Sequence, residues 1–309
     1  RLAARYAVAG SQAVPVGGDS MAAMIELIPE AMRGAIAAAV GASAPSALTG
    51  PVYEQPCTAI PIGTALAQSW DPAVAEACGD LVGKEMERFG VHLWLAPAMN
   101  IHRSPLCGRN FEYYSEDPLL TGRTAAALTR GVQKHPGCGV TLKHFCCNNQ
   151  ETNRMNSNSQ VSPRALREIY LKGFAIAVRE AAPAAIMTSY NLLNGEHTSQ
   201  RPDLMEDLLR KEWGYRGLVM TDWVIAGMTA DGKKYPMACA SGTIRAGNDL
   251  MMPGSPADQN DLLTALRDPA VRYPLTRANL ERCGARIVET ARRLAAAHAP
   301  KAAPVVAED

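Results

Sequence analysis

"GLVMTDW", residues 217–223, sets a carboxylate at the end of an apolar run that reads as a buried strand. A carboxylate taken out of water without a partner either protonates or costs several kcal/mol. Asp222 therefore has a partner charge close by or a chemical task. Working outward, similar runs recur: "VHLWLAP" from 91, "CGVTLKHF" from 138, "AAIMTSYN" from 184 and "DLMMPG" from 249, with a possible sixth at "CTAIPIG", 57–63. Between them lie segments with helical spacing. Residues 69–90 carry Asp71 as N-cap, Pro72 at the first helical position and Gly90 as a stop; residues 162–183 and 201–217 follow suit. Strand, helix, strand at this spacing implies right-handed βα units on a parallel sheet.

Polar residues follow nearly every strand: Asn100 and His102, Lys143 and His144, Tyr190 and Asn191, Asp222 and Trp223. Functional groups converge from several strand ends when the strands curl into a (β/α)8 TIM-like barrel. No Gly-rich phosphate loop of a dinucleotide or nucleotide fold is present. Five strands leave a complete barrel and an incomplete, partly collapsed one both open. The expected division is an N-terminal helical and linker segment (1–50), a barrel domain (51–290) and the end of a C-terminal helix with a flexible tail (291–309).

The 309 residues are 47% hydrophobic and 20% charged, as in a globular α/β protein. The 31 basic and 30 acidic residues balance to +1, which suggests neither nucleic acid nor an anionic membrane as partner. No apolar run approaches the roughly 18 residues of a membrane span. The chain starts at Arg1, so its natural start is expected to be missing or processed. Residues 34–47, "GAIAAAVGASAPSA", resemble a secretory h-region and cleavage site but lie far from the start. Eight cysteines form no C-x-x-C pair; read as small core residues in a reducing compartment, they favour the cytoplasm, with a periplasmic or secreted protein left open because the natural N-terminus is not visible. No cofactor or metal is expected.

Three stretches carry the chemistry: "NIHRSPLCGRNFEYYSEDP" (100–118), "KHFCCNNQETNR" (143–154) and "MTDW" (220–223). Arg109, Lys143 and His144 are donors that could surround Asp222, and a cation within about 4–6 Å lowers a carboxylate's pKa. Taken singly, each has a plainer reading. A strand-end Asp is more often a cap or salt-bridge partner, Arg109 can pair with Glu112 or Asp117, Glu116 and Asp117 suit a helix start, and Glu151 with Arg154 suits a local pair. His102 reads as structural, and Asp249 as part of a turn before a strand.

Together, "GRNFEYYSEDP", "KHF", "TSYN" and "TDW" in that order resemble the barrel domain of glycoside hydrolase family 3, the β-glucosidase family, over about residues 56–290. The resemblance implies a retaining β-glycosidase acting on terminal β-D-glucosyl residues, with Asp222 as nucleophile. Arg109, Lys143, His144, Tyr190 and Met187 would hold the sugar, and Trp223 would be a stacking platform. A retaining enzyme needs two carboxyl groups about 5–5.5 Å apart. Members usually take the acid/base Glu from a separate α/β sandwich domain, so a further domain or partner chain is implied. The K-H-F-P-G-H-G loop of the branch that uses a His is not present. Thr49, in "ALTGPV", stands where the family usually has a sugar-binding Asp, and is an altered subsite position. The "KHFCCNNQETNR" and "GNDLMMPG" stretches resemble the subgroup whose sandwich precedes the barrel. The alternative is a catalytically silent carbohydrate-binding barrel, or a half-enzyme needing a partner; a phosphorylase with the same nucleophile is a third reading. A homodimer is compatible with all of these, and sugar and linkage specificity stay open.

Overall fold

The computed structural model describes residues 2–7, 52–228 and 235–297. Thr49, most of the helical and linker segment expected at 1–50, the signal-like 34–47 and the tail from 298 lie outside the described residues. A five-stranded parallel sheet is the centre of the molecule: β3 (Leu93–Trp94), β4 (Gly139–Phe145), β6 (Ala185–Thr188), β9 (Leu218–Trp223) and β10 (Leu250–Met252) lie side by side in chain order. That sequential order is half of a curled barrel, and among the described residues the outer strands β3 and β10 do not pair with each other. Each strand corresponds to one of the five apolar runs, because a strand buried on both faces reads as a continuous hydrophobic stretch.

The sixth run behaves differently. β2 (Val52–Cys57) pairs antiparallel with β1 (Leu2–Ala7) in a ribbon of its own, and Thr58–Ile62 forms no strand. Pro61 interrupts that run with a fixed φ and no backbone donor, so it cannot serve a central strand. Past it, the helix Gly63–Gln68 starts against the 110–113 loop: Thr64 Oγ1 donates to the carbonyls of Asn110 (2.7 Å) and Tyr113 (3.0 Å). A further small sheet went unread in the sequence. β7 (Leu192–Leu193) and β8 (Glu196–His197) form a hairpin, and β5 (Asn158–Ser159) adds to it in parallel.

The helices follow their caps. Pro72–Phe89 starts at Asp71, whose carboxylate accepts from Ala73 N at 2.8 Å, and ends at Gly90 in the left-handed region, φ 69°. It packs on Pro118–Gln133 with almost no gap: a Cβ on Gly79 would meet the Leu128 carbonyl oxygen at 2.2 Å. The expected helix at 162–183 is capped by Ser162 but passes through a π turn at Leu166–Tyr170 before continuing as Lys172–Ala181. Asp203–Glu212 is wholly π, and Arg277–Ala297 is one unbroken helix. Between these helices and the sheet, Phe145 meets Phe174 edge-on at 5.1 Å and Trp213 at 6.1 Å. Burying side chains of that size contributes about 1.5–3 kcal/mol each. The thiols Cys107, Cys138, Cys146, Cys147 and Cys283 are buried, as core-filling cysteines are.

Candidate active site

The carboxyl ends of the strands converge on one cavity of about 240 Å³, lined by Leu95, Arg109, Lys143, His144, Arg154, Met187, Tyr190, Asp222 and Trp223. At about 30 Å³ per water it has room for about eight waters, the scale of one monosaccharide. Among the described residues, a wider depression of about 590 Å³ beside Asn158, Gln160 and Tyr235 is lined by no carboxylate and no cation, so the smaller cavity is the one equipped for chemistry. Every site residue read from the sequence that lies among the described residues lines it.

Each side chain is placed by its strand. Asp222 closes β9, and its Oδ1 accepts from Trp223 N at 2.8 Å. His144 nears the end of β4, where the register to β6 shifts between Leu142 and Phe145. Asn100 holds that irregular backbone from both sides, accepting from His144 N and donating to His144 O, each at 2.9 Å. Tyr190, after β6, donates to the Trp223 carbonyl at 2.6 Å, while its own carbonyl accepts from His197 Nδ1 at 3.0 Å. Arg109 reaches in from the 100–117 loop, its Nε bonded to Glu112 and its guanidinium 5.9 Å from the Tyr113 ring. Arg154, from the loop after β4, stacks on Tyr190 at 5.1 Å and pairs with Glu151 at 2.9 Å.

The electrostatics correct one expectation. Asp222 is buried, and that burial raises its pKa above the ordinary value, although the Trp223 N–H and the charges of Arg109, Arg154 and Lys143 all pull it down. The cations were expected to win; they do not, because none sits in direct contact with the carboxylate, and charge–charge attraction weakens with distance while desolvation does not. Burial also drives His144 well below the usual histidine range, with Arg109, Lys143 and Arg154 adding to the effect. His144 Nε2, 3.6 Å from Asp222 Oδ2, is therefore a neutral imidazole and not half of a salt bridge. Burial lowers the Lys143 ammonium, against the pull of Glu112 and Asp222. Burial, then the charge of Asp222, raises Tyr190 so that it stays a phenol.

The plainer readings hold elsewhere. Asp117 caps Pro118–Gln133 by accepting from Leu119 N at 2.7 Å, and His102 Nε2 bonds the Asn110 carbonyl at 2.9 Å. Asp249 pairs with Arg210 and Arg286 and accepts from Val219 N, near the opposite end of β9. Sequence reasoning placed Arg154 only as a partner that shapes its loop, whereas it also faces the cavity. It missed Leu95 as a wall; of the two partners offered for Arg109, Glu112 is the one that anchors it. The available signal for Arg154 was a charge pair inside a polar loop that leaves a strand bearing two donors.

The comparisons with known proteins agree. The family model described as Glycosyl hydrolase family 3 N terminal domain matches residues 23–290. Probable beta-glucosidase K of Emericella nidulans is 42% identical over 223 residues, 72% of this chain and 24% of that protein. Beta-glucosidase of Rhizobium radiobacter is 44% identical over 72% of this chain and 26% of its own length. The chain thus spans about a quarter of the length of these curated relatives. Among solved structures, beta-glucosidase 3B from Thermotoga neapolitana, in complex with alpha-D-glucose, superposes with a TM-score of 0.69 at 42% identity, covering 78% of this chain and 32% of that one. The Paenibacillus barengoltzii beta-glucosidase gives 0.69 at 45% identity, covering 79% of this chain and 27% of its own. With the strand order, the convergent strand ends and a family match spanning most of its length, this chain belongs to glycosyl hydrolase family 3 and contains that family's N-terminal domain.

Proposed function

We propose that this chain supplies the nucleophile and the sugar site of a retaining β-glucosidase. The observation that carries the reading is Asp222: a buried carboxylate at a strand end, facing a monosaccharide-sized cavity with donors on every side. In the proposed reaction an oxygen of ionised Asp222 attacks the anomeric carbon of a terminal β-D-glucosyl residue. The bond to the departing oxygen breaks, and a glycosyl–Asp222 ester remains until water releases the sugar. Arg109, Lys143, Arg154 and neutral His144 hold the hydroxyls, and Trp223 and Met187 offer apolar surface to the ring. Thr49 is assigned to the same sugar site, as a position where the usual carboxylate acceptor is replaced by a hydroxyl.

Cleavage also needs a proton on the departing oxygen, and general acid catalysis contributes about 10²–10⁴-fold. Among the described residues lining the cavity, Asp222 is the one carboxylate. Glu112 and Glu151 are engaged by Arg109 and Arg154, and Asp249 is held elsewhere. The reading therefore takes the acid/base from another domain or a partner chain. The same observation supports the second reading, a half-enzyme that binds sugar and awaits its partner.

One experiment separates these. The chain is treated with a 2-deoxy-2-fluoroglucoside bearing a dinitrophenyl leaving group, and the labelled peptide is identified by mass spectrometry. Label on Asp222 is expected; label on another carboxylate would overturn the assignment. Steady-state assays should then show nitrophenyl glucosides cleaved and alkyl glucosides nearly inert, with azide speeding release. Equal rates for both classes would place the acid within this chain, and no labelling at all would favour the silent binder.

A further inference from the structure

Around the cavity, three cations and two carboxylates outside its lining form one alternating chain. Glu112 bonds Arg109 Nε through Oε1 and faces Lys143 Nζ through Oε2 at 3.8 Å. Glu151 reaches Arg109 Nη1 at 3.9 Å through Oε1 and Arg154 Nη1 at 2.9 Å through Oε2. Asn148 Nδ2 donates to Glu151 Oε1 at 3.1 Å and to Tyr113 Oη at 3.2 Å, fixing that end. The order is Lys143, Glu112, Arg109, Glu151, Arg154. With His144 neutral, Asp222 brings the formal charge of the group to zero.

We infer that Glu112 and Glu151 are positioning residues, whose task is to hold Arg109, Lys143 and Arg154 off the Asp222 carboxylate. The inference rests on Asp222 being the nucleophile. Asp249 shows what an arginine not held by another acid does beside a buried carboxylate: Arg210, whose Nη1 donates to the Tyr215 and Gly217 carbonyls, still brings Nη2 to 2.8 Å from it. A carboxylate clasped in that way has its lone pairs occupied and is a poor nucleophile. Tethering the cations to acids that lie outside the cavity lining keeps their field at the cavity, leaves Asp222 open to the anomeric carbon, and leaves the remaining N–H groups for hydroxyls. Each tether also keeps its partner's charge affordable in a site that is little hydrated.

The charged and titratable groups facing Lys143 are Glu112 and Arg109 from the 100–117 loop, Asp222 from β9 and its neighbour His144, with Arg154 and Tyr190 across the cavity. Glu112 opposes the burial that lowers Lys143. Neutralising Glu112 should therefore let Lys143 lose its proton at lower pH and let Arg109 close on Asp222. Both limbs of the glycosylation rate profile move acidic: Asp222 ionises sooner and Lys143 discharges sooner. A residue that only braces its loop would lower the rate without moving either limb.

The test uses Glu112→Gln, Glu112→Asp and Glu151→Gln in the full chain, with folding checked by circular dichroism. In the first arm, ¹³Cε-lysine NMR follows Lys143, assigned through Lys143→Arg. Its midpoint should fall in Glu112→Gln, fall less in Glu151→Gln, and stay near the parent value in Glu112→Asp. In the second arm, the pH dependence of labelling by the fluoroglucoside should move acidic in Glu112→Gln, with a rate about 10–100-fold below the parent, and recover in Glu112→Asp. An unmoved Lys143 midpoint in the folded glutamine variants overturns the inference whatever the rates. A parent that is not labelled refutes the nucleophile reading, and with it the positioning role built upon it, even where the Lys143 midpoint moves.

Discussion

Asp222 and Asp249 lie near opposite ends of one strand, and the contrast between them separates a reactive carboxylate from a structural one. Both are buried, and burial raises the pKa of both. Asp249 is fully occupied: Arg210 on Oδ2 at 2.8 Å, Arg286 on Oδ1 at 3.2 Å, and Val219 N at 2.8 Å. Asp222 has the backbone N–H of Trp223 on one oxygen, the Tyr190 hydroxyl beside it, and a neutral imidazole beyond hydrogen-bond range of the other oxygen, with no cation touching it. Neither burial nor the direction of the pKa distinguishes them. What distinguishes them is whether the neighbouring cations touch the carboxylate or are held by other acids, and whether a cavity lies in front.

The largest effect breaks the reactive side of the pair. Asp222→Ala removes the covalent route itself, so turnover of a nitrophenyl glucoside should fall by about 10⁴-fold or more. In the parent, labelling should rise with pH through a midpoint above the ordinary Asp value of about 3.9, since burial holds the proton on. A midpoint at or below that value would show the cations outweighing burial after all.

The structural side should fail in a different currency. Asp249→Asn leaves the buried Arg210 guanidinium without its counter-charge and Arg286 with Glu206 alone, and breaking a buried pair from one side costs about 3–5 kcal/mol. Urea unfolding should report a loss of that order, while labelling by the folded fraction stays within a few fold of the parent. If Asp249→Asn instead spared stability and removed activity toward alkyl glucosides alone, Asp249 would be the proton donor and the contrast would collapse.

A smaller effect probes what orients the reactive end. Tyr190→Phe deletes the 2.6 Å bond to the Trp223 carbonyl and keeps the ring under Arg154. The lost bond is worth about 1 kcal/mol. Labelling should slow by roughly tenfold, the equivalent of about 1.4 kcal/mol in the barrier, with Asp222 still the labelled residue. An unchanged rate would mean that Trp223 is placed by the strand alone.

The contrast also shows which parts of this molecule can be read without coordinates. The five sheet strands were legible because a strand buried on both faces is a run of consecutive apolar residues, and Asp71, Pro72 and Gly90 announced their helix by capping chemistry. "CTAIPIG" imitated such a strand, since composition does not reveal whether a run finds a parallel neighbour. The π turns at 166–170 and 203–212 leave no mark in apolar periodicity. At the site, the residues standing at strand ends were legible. The place of Arg154 at the cavity was not, nor the reach of Glu112 beyond Arg109 to Lys143: both depend on how two loops fold back toward each other, with Glu151 bridging the arginines. The direction of the Asp222 shift was misread for the same reason, because it turns on distances and not on which residues are present.

The smallest expected effect turns the contrast into a measurement of sign. A carboxyl whose folded pKa is raised binds its proton more tightly in the folded state than in the unfolded one. Its contribution to stability is complete below the unfolded value of about 3.9 and is lost as pH rises through the folded value. Asparagine mimics the protonated form, keeps an acceptor for Trp223 N and cannot ionise. The cations near Asp222 retain Glu112 and Glu151 as partners when it goes; when Asp249 goes, Arg286 keeps Glu206 at 3.5 Å but Arg210 loses its ion-pair partner. Asp222→Asn should therefore match the parent near pH 4 and exceed it near pH 8 by about 0.5–2 kcal/mol, the usual gain on relieving a site that trades stability for function. Urea midpoints at the two pH values provide the check. A parent more stable than Asp222→Asn at pH 8 would mean that Asp222 is as well paired as Asp249, and that the tethers do not hold the cations back.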